Sequence, residues 1–133
     1  MKILLIEDNE IDAFIAQQVL KDCEGETRFD VVESGVRAIE LITTQYLQAR
    51  ELPDVILVDM YMPVMNGLEF LEAYAGIDIK EKDRIQVIML TNSIDPHLHA
   101  EAIRLGARGI LTKPVSAGML AALAPADPAM RQG

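Results

Sequence analysis

The chain has 133 residues, half of them apolar, which fits one domain with a proper core and predicts no second one. Its 21 acidic and 12 basic side chains give a formal charge of -9, which argues against direct nucleic-acid binding and points to divalent cations or basic protein surfaces instead. The single cysteine, Cys23, cannot form an intrachain disulfide; with apolar runs far short of the ~20 residues of a membrane span and no secretory signal layout, a soluble, cytoplasmic protein is expected.

Lys2 to Ile6 is a compact apolar strand candidate that stops abruptly at Glu7, Asp8 and Asn9. From about Asn9 to Cys23, Ile11, Phe14, Ile15, Val19 and Leu20 recur at helical spacing, with Asn9 or Asp8 as N-cap and Gly25 closing the helix. Arg28 to Glu33 alternates well enough for an outer strand. Ser34 caps a second helix to about Ala49, predicted to carry Val36, Ile39, Ile42, Tyr46 and Leu47 inward, and Pro53 ends the connection.

Val55 to Val58 is a short unbroken apolar run rich in β-branched residues, the pattern of a parallel strand buried on both faces. Asp59 follows at once, at the carboxyl end where open α/β sheets place their chemistry. A loop with Pro63 and the turn pair Asn66-Gly67 leads to a third helix carrying Leu68, Phe70, Leu71 and Tyr74 and ended by Gly76. Gly76 to Arg84 reads as a solvated, charged connector. Ile85 to Leu90 is another buried strand, ending at Thr91-Asn92-Ser93. Asp95-Pro96 opens a fourth helix that Gly106 stops. Arg108 to Leu111 is a short last strand followed by Thr112-Lys113-Pro114, and a final helix runs from about Val115 to Leu123.

Strand and helix thus alternate about five times, which predicts a parallel sheet covered on both faces. Glu7-Asp8, Asp59, Thr91 and Lys113 each follow a strand, so four distant parts of the sequence should meet in one crevice. Three carboxylates so placed repel one another and raise at least one pKa unless a cation intervenes. Mg²⁺, which favours oxygen ligands and shares phosphate oxygens, suits that gap. Lys113 can pair with Asp59 at rest and hold a phosphoryl oxygen afterwards, and Thr91 offers a hydroxyl to another. These are the parts needed to move a phosphoryl group onto a carboxylate as an acyl phosphate.

With LLIEDN, VILVDMYMPVMNG, VIMLTNS and GARGILTKP in this order, the chain resembles the receiver domain of bacterial two-component response regulators. It looks most like the single-domain, chemotaxis-regulator type. The resemblance implies a flavodoxin-like, doubly wound five-stranded parallel sheet of order 2-1-3-4-5 with helices on both faces. It implies a receiver over residues 1–124 and a poorly ordered tail over 125–133. Asp59 would accept phosphoryl from a sensor histidine kinase or phosphotransfer protein, with Glu7, Asp8, Asp59 and the backbone carbonyl of Tyr61 as Mg²⁺ ligands. Thr91 would be the switch hydroxyl, Lys113 the counter-charge, and Lys113-Pro114 a cis bond. Its only chemistry would be self-phosphorylation and autodephosphorylation.

The chain departs from that pattern at Ile110, where the family usually carries its switch aromatic, and at Asn92, where a small residue is more usual. Tyr61 and Ser93 stand where bulk and polarity tune attack by water. Val115 to Ala126 contains no charged residue, so the fourth helix, last strand and last helix are expected to form a partner or self-association surface; a tolerant alanine-rich surface is the competing view. His97 and His99 point apart on a helix and are not read as metal ligands.

Rival functions are weaker. A metal-dependent phosphohydrolase with an aspartyl nucleophile usually carries a second acid two positions on, where this chain has Tyr61. A flavin binder would want glycine and hydroxyls, not Glu7-Asp8-Asn9, in its first loop. The intact set of site residues disfavours a degenerate scaffold.

Overall fold

A computed structural model describes residues 1–21, 27–116 and 118. Five parallel strands, β1 (Lys2–Ile6), β2 (Arg28–Val32), β3 (Val55–Asp59), β4 (Gln86–Thr91) and β5 (Gly109–Thr112), form one sheet in the order β2-β1-β3-β4-β5. Four helical segments connect them: α1 (Glu10–Leu20), α2 (residues 35–49), α3 (Gly67–Ala75) and α4 (Pro96–Arg104). Both the fold class and the strand order agree with expectation.

Side chains alternate across a strand, and this sorts the core into two layers. Leu4, Ile6, Ile56, Val58, Val87 and Met89 face one way and pack with Ala38 and Ile42 of α2, Phe70 and Leu71 of α3, and Ala102 of α4. Ile3, Leu5, Val55, Leu57, Ile88 and Leu90 face the other way, against Ala13, Ala16 and Leu20 of α1. Every residue of β3 and β4 is buried, which is why their centres, Val55 to Val58 and Val87 to Leu90, read as unbroken apolar runs.

Helix ends follow local chemistry. Asn9 caps α1 by accepting from the Asp12 N–H, Ser34 caps α2 by accepting from Arg37 N–H, and Asp95 caps α4 ahead of Pro96. Asn66 and Glu69 form a reciprocal capping box on α3.

Several details differ from the sequence reading. Helical spacing identifies α1 and, with Val19 and Leu20, part of its inner face, but Ala13 and Ala16 supply the rest of it, whereas Ile11, Phe14 and Ile15 are exposed. Small residues let the helix lie close to the sheet. In α2, Val36 is exposed rather than inward, and the helix widens into a π turn over Ile42–Tyr46. There the Thr43 and Thr44 hydroxyls donate back to the Ile39 and Glu40 carbonyls, competition for the backbone that loosens a helix. The charged connector is not wholly solvated, because it holds a 3-10 turn, Lys82–Arg84, whose lysine binds the end of α3. Cys23, Gly25, most of the expected last helix and the expected tail lie outside the described residues.

Candidate functional site

The carboxyl ends of β1, β3, β4 and β5 lie along one edge of the sheet, and β3 is central there. Asp59 is the last residue of β3, paired in register with Leu90, so Thr91 stands one residue further along the neighbouring strand. The loop after Asp59 folds back tightly. Gly67 N–H donates to the Met60 carbonyl at 2.9 Å. A side chain at Gly67 would meet the Asp59 carbonyl oxygen at 2.9 Å and Met89 Sδ at 2.6 Å, so the return requires glycine. Val64 takes a positive φ of 71° where Met65 N–H donates to the Pro63 carbonyl, a strained three-residue turn for a β-branched side chain.

Asp59 is only 4% exposed. Rather than emerging into solvent, its carboxylate accepts from Tyr61 N–H at 3.3 Å through one oxygen and faces the Lys113 ammonium at 3.3 Å through the other. Lys113, just past β5, also donates to Glu7 Oε2 at 2.8 Å and to Asp12 Oδ2 at 3.1 Å. Glu7 is itself buried and takes a second hydrogen bond from Asn9 N–H at 3.2 Å. Glu7, Asp8 and Asp59 each offer an oxygen within 4.8 Å of the others; Glu7 and Asp59 are buried and Asp8 is exposed.

Electrostatics follow this geometry. Burial, opposed by the Lys113 hydrogen bond and reinforced by the charge of Asp59, raises the Glu7 carboxyl from 4.5 to about 7. For Lys113, burial disfavours the charge, but hydrogen bonds to Glu7 and Asp12 and the nearby carboxylates outweigh it and push the ammonium above its ordinary value. One cation thus serves three acids.

Thr91 is 2% exposed; its hydroxyl oxygen accepts from Ser93 N–H at 3.0 Å, and its carbonyl accepts from Lys113 N–H at 3.4 Å. Tyr61 is 59% exposed at the mouth of the crevice. The Lys113-Pro114 bond is cis. Glu7, Asp8, Asp59 and Lys113 therefore cluster, with Thr91 and Tyr61 on the adjoining backbone. The sequence reading missed Asp12. An acid in the first turn of a helix ordinarily serves the helix dipole, and only its place one turn past the Glu7-Asp8 strand end hinted that it faces the crevice.

Residues 3–124 match the family described as the response regulator receiver domain. The chain belongs to that family. As a receiver it is 35% identical over 120 residues to the transcriptional regulatory protein YdfI of Bacillus subtilis, covering 90% of this chain and 51% of that protein. The receiver therefore spans about half the length of that relative. A two-component response regulator of Cytophaga hutchinsonii superposes with a TM-score of 0.83 at 27% identity, covering 92% of each chain. The Mn²⁺-bound form of the response regulator Rcp1 superposes with a TM-score of 0.70 at 26% identity, covering 92% of this receiver and 87% of that chain. Receiver domains are phosphoacceptor units of two-component signalling rather than enzymes in the usual sense. Among the described residues no helix is long and apolar enough to cross a membrane.

Proposed function

We propose that this receiver is a phosphorylation switch: Asp59 takes a phosphoryl group from a phosphohistidine of a sensor kinase or phosphotransfer protein in the cytoplasm. The observation that carries this reading is the single cluster of Asp59, Lys113 and the Glu7-Asp8 pair at the sheet edge. An Asp59 carboxylate oxygen forms the new P–O bond as the P–N bond to the donor imidazole breaks, and that electron pair stays on the ring nitrogen.

Oxygen donors alone, two of them buried beside a third, suit a hard divalent ion such as Mg²⁺. Glu7, Asp8, Asp59 and the Tyr61 carbonyl would hold it. When bound it would neutralise charge shared by the acids and the phosphoryl oxygens. Lys113 pairs with Asp59 at rest and holds a phosphoryl oxygen afterwards. Thr91, whose oxygen already accepts from Ser93 N–H, keeps its own proton to donate to another.

Where the family usually carries a switch aromatic, Ile110 packs against the core, so the signal passes to partners by other side chains of α4 and β5 and the residues beyond them. Those elements are the proposed surface for a downstream protein or a second copy, within a receiver unit of residues 1–124.

The test is incubation with acetyl phosphate, with and without Mg²⁺, followed by intact mass measurement. A phosphoryl adduct that needs the metal and vanishes in Asp59→Asn is expected. An adduct that persists in Asp59→Asn, or none in the wild type, overturns the assignment.

A further inference from the structure

We infer that Asp12 is a built-in stand-in for the incoming phosphoryl group: it occupies one arm of Lys113 at rest and gives it up when Asp59 is phosphorylated. The inference rests on the phosphoacceptor reading above and adds to it a positioning residue that acts through Lys113.

A lysine has three N–H donors. Here three carboxylates face them, Glu7 at 2.8 Å, Asp12 at 3.1 Å and Asp59 at 3.3 Å. Two of the arms are committed to hydrogen bonds, with Glu7 and Asp12, while Asp59 only faces the ammonium. A phosphoryl group on Asp59 brings three oxygens and more negative charge than the carboxylate it modifies, so it competes with the two bonded acids for Lys113. Exposure decides which of them yields. Asp59 carries the phosphoryl group itself, and the Glu7 side chain, 2% exposed, would be left as a buried charge without its cation. The Asp12 side chain is 43% exposed, so water replaces Lys113 there at little cost.

The surroundings allow that exchange. Asp12 lies in the first turn of α1, fixed at its backbone by the Asn9 cap, while its carboxylate reaches the seam between α1 and the end of β5. A cavity of about 210 Å³ follows this seam, lined by Glu7, Asp12, Ile15, Asn92 and Lys113 among others, and gives the freed carboxylate room to turn. Asp12 is also a fixed negative charge that opposes an arriving phosphoryl anion.

Both effects have one sign for an anion. Loss of the Asp12 charge frees an arm of Lys113 and removes repulsion, so anion binding tightens. Structural damage would weaken it. Divalent-cation affinity should not rise in parallel, because a negative charge has been removed.

The experiment is titration of the whole chain with beryllofluoride at saturating Mg²⁺, with Asp59→Asn as the blank. Asp12→Asn is expected to bind beryllofluoride about two- to fivefold more tightly than wild type, as loss of an exposed competing ion pair implies. Asp12→Glu should return toward the wild-type value. In a Lys113→Met background the same Asp12→Asn change should lose most of its effect. Unchanged or weaker binding in a folded Asp12→Asn variant, or a full gain without Lys113, overturns the exchange. Asp12→Ser gives a second reading should Asp12→Asn fold poorly. If wild type shows no beryllofluoride binding above the Asp59→Asn blank, it is the phosphoacceptor reading that fails; wild-type binding without the Asp12 effect sinks only the present inference.

Discussion

Among the described residues, one buried side-chain atom has no hydrogen-bond partner, the hydroxyl of Tyr74. The ring stacks on Phe70 with centroids 5.8 Å apart, and burial pushes the phenol up to about 12. A buried hydroxyl without a partner costs free energy that phenylalanine would not. Tyr74→Phe should keep the stack and stabilise the fold by about 1 kcal/mol, seen as a later urea midpoint with an unchanged slope. A destabilised variant would mean that the hydroxyl has a partner. At this scale the sequence was informative where chemistry is local. An acid after an apolar strand signals Asp59 by itself, whereas Asp12 acquires its role only through a lysine 101 positions away.

Helix α3 shows how an element can depend on a residue outside it. The last carbonyls of a helix lack intrahelical donors. Lys82, in the following turn, donates to the carbonyls of Tyr74 at 2.7 Å, Ala75 at 3.1 Å and Ile77 at 2.7 Å, and lies 4.7 Å over the Tyr74 ring. Burial lowers its pKa, the mark of an ammonium drawn off the surface. Lys82→Met retains the stem but strips the donors, and should cost roughly 1–2 kcal/mol, measured by thermal or denaturant unfolding. No loss would make the lysine a bystander. Charge runs conceal such roles: among Lys80, Glu81, Lys82, Asp83 and Arg84 nothing in the pattern singles out the one that folds back. The same limit explains α1, where apolar spacing fixes the element while the closeness demanded by the sheet selects Ala13 and Ala16 for the inner face.

Stability of the whole molecule carries the imprint of the acidic cluster. The Glu7 carboxyl titrates near 7 when folded and at its ordinary 4.5 when exposed. Between these values the folded chain holds a proton that the unfolded chain has lost, so the contribution of Glu7 is complete below the lower value and is lost as pH rises through the upper one. In metal-free protein with a chelator, Glu7→Gln should therefore gain on wild type by roughly 1–3 kcal/mol between about pH 5 and about pH 8. Urea titrations at both pH values measure this, and a gap independent of pH would clear Glu7. The global layout was legible because alternating apolar runs and caps dictate five strands and their crossovers. The order of the strands came from family likeness, since periodicity carries no record of which strand lies beside which. One feature of that order reaches beyond the folded state. The ammonium that neutralises Glu7 stands 106 positions later in the chain, just past β5. A ribosome thus delivers the acids first and their counter-ion last, and a polypeptide abandoned before β5 holds Glu7 and Asp59 without it. Interrupted synthesis leaves the acidic cluster without its counter-ion, and only translation through Lys113 completes it.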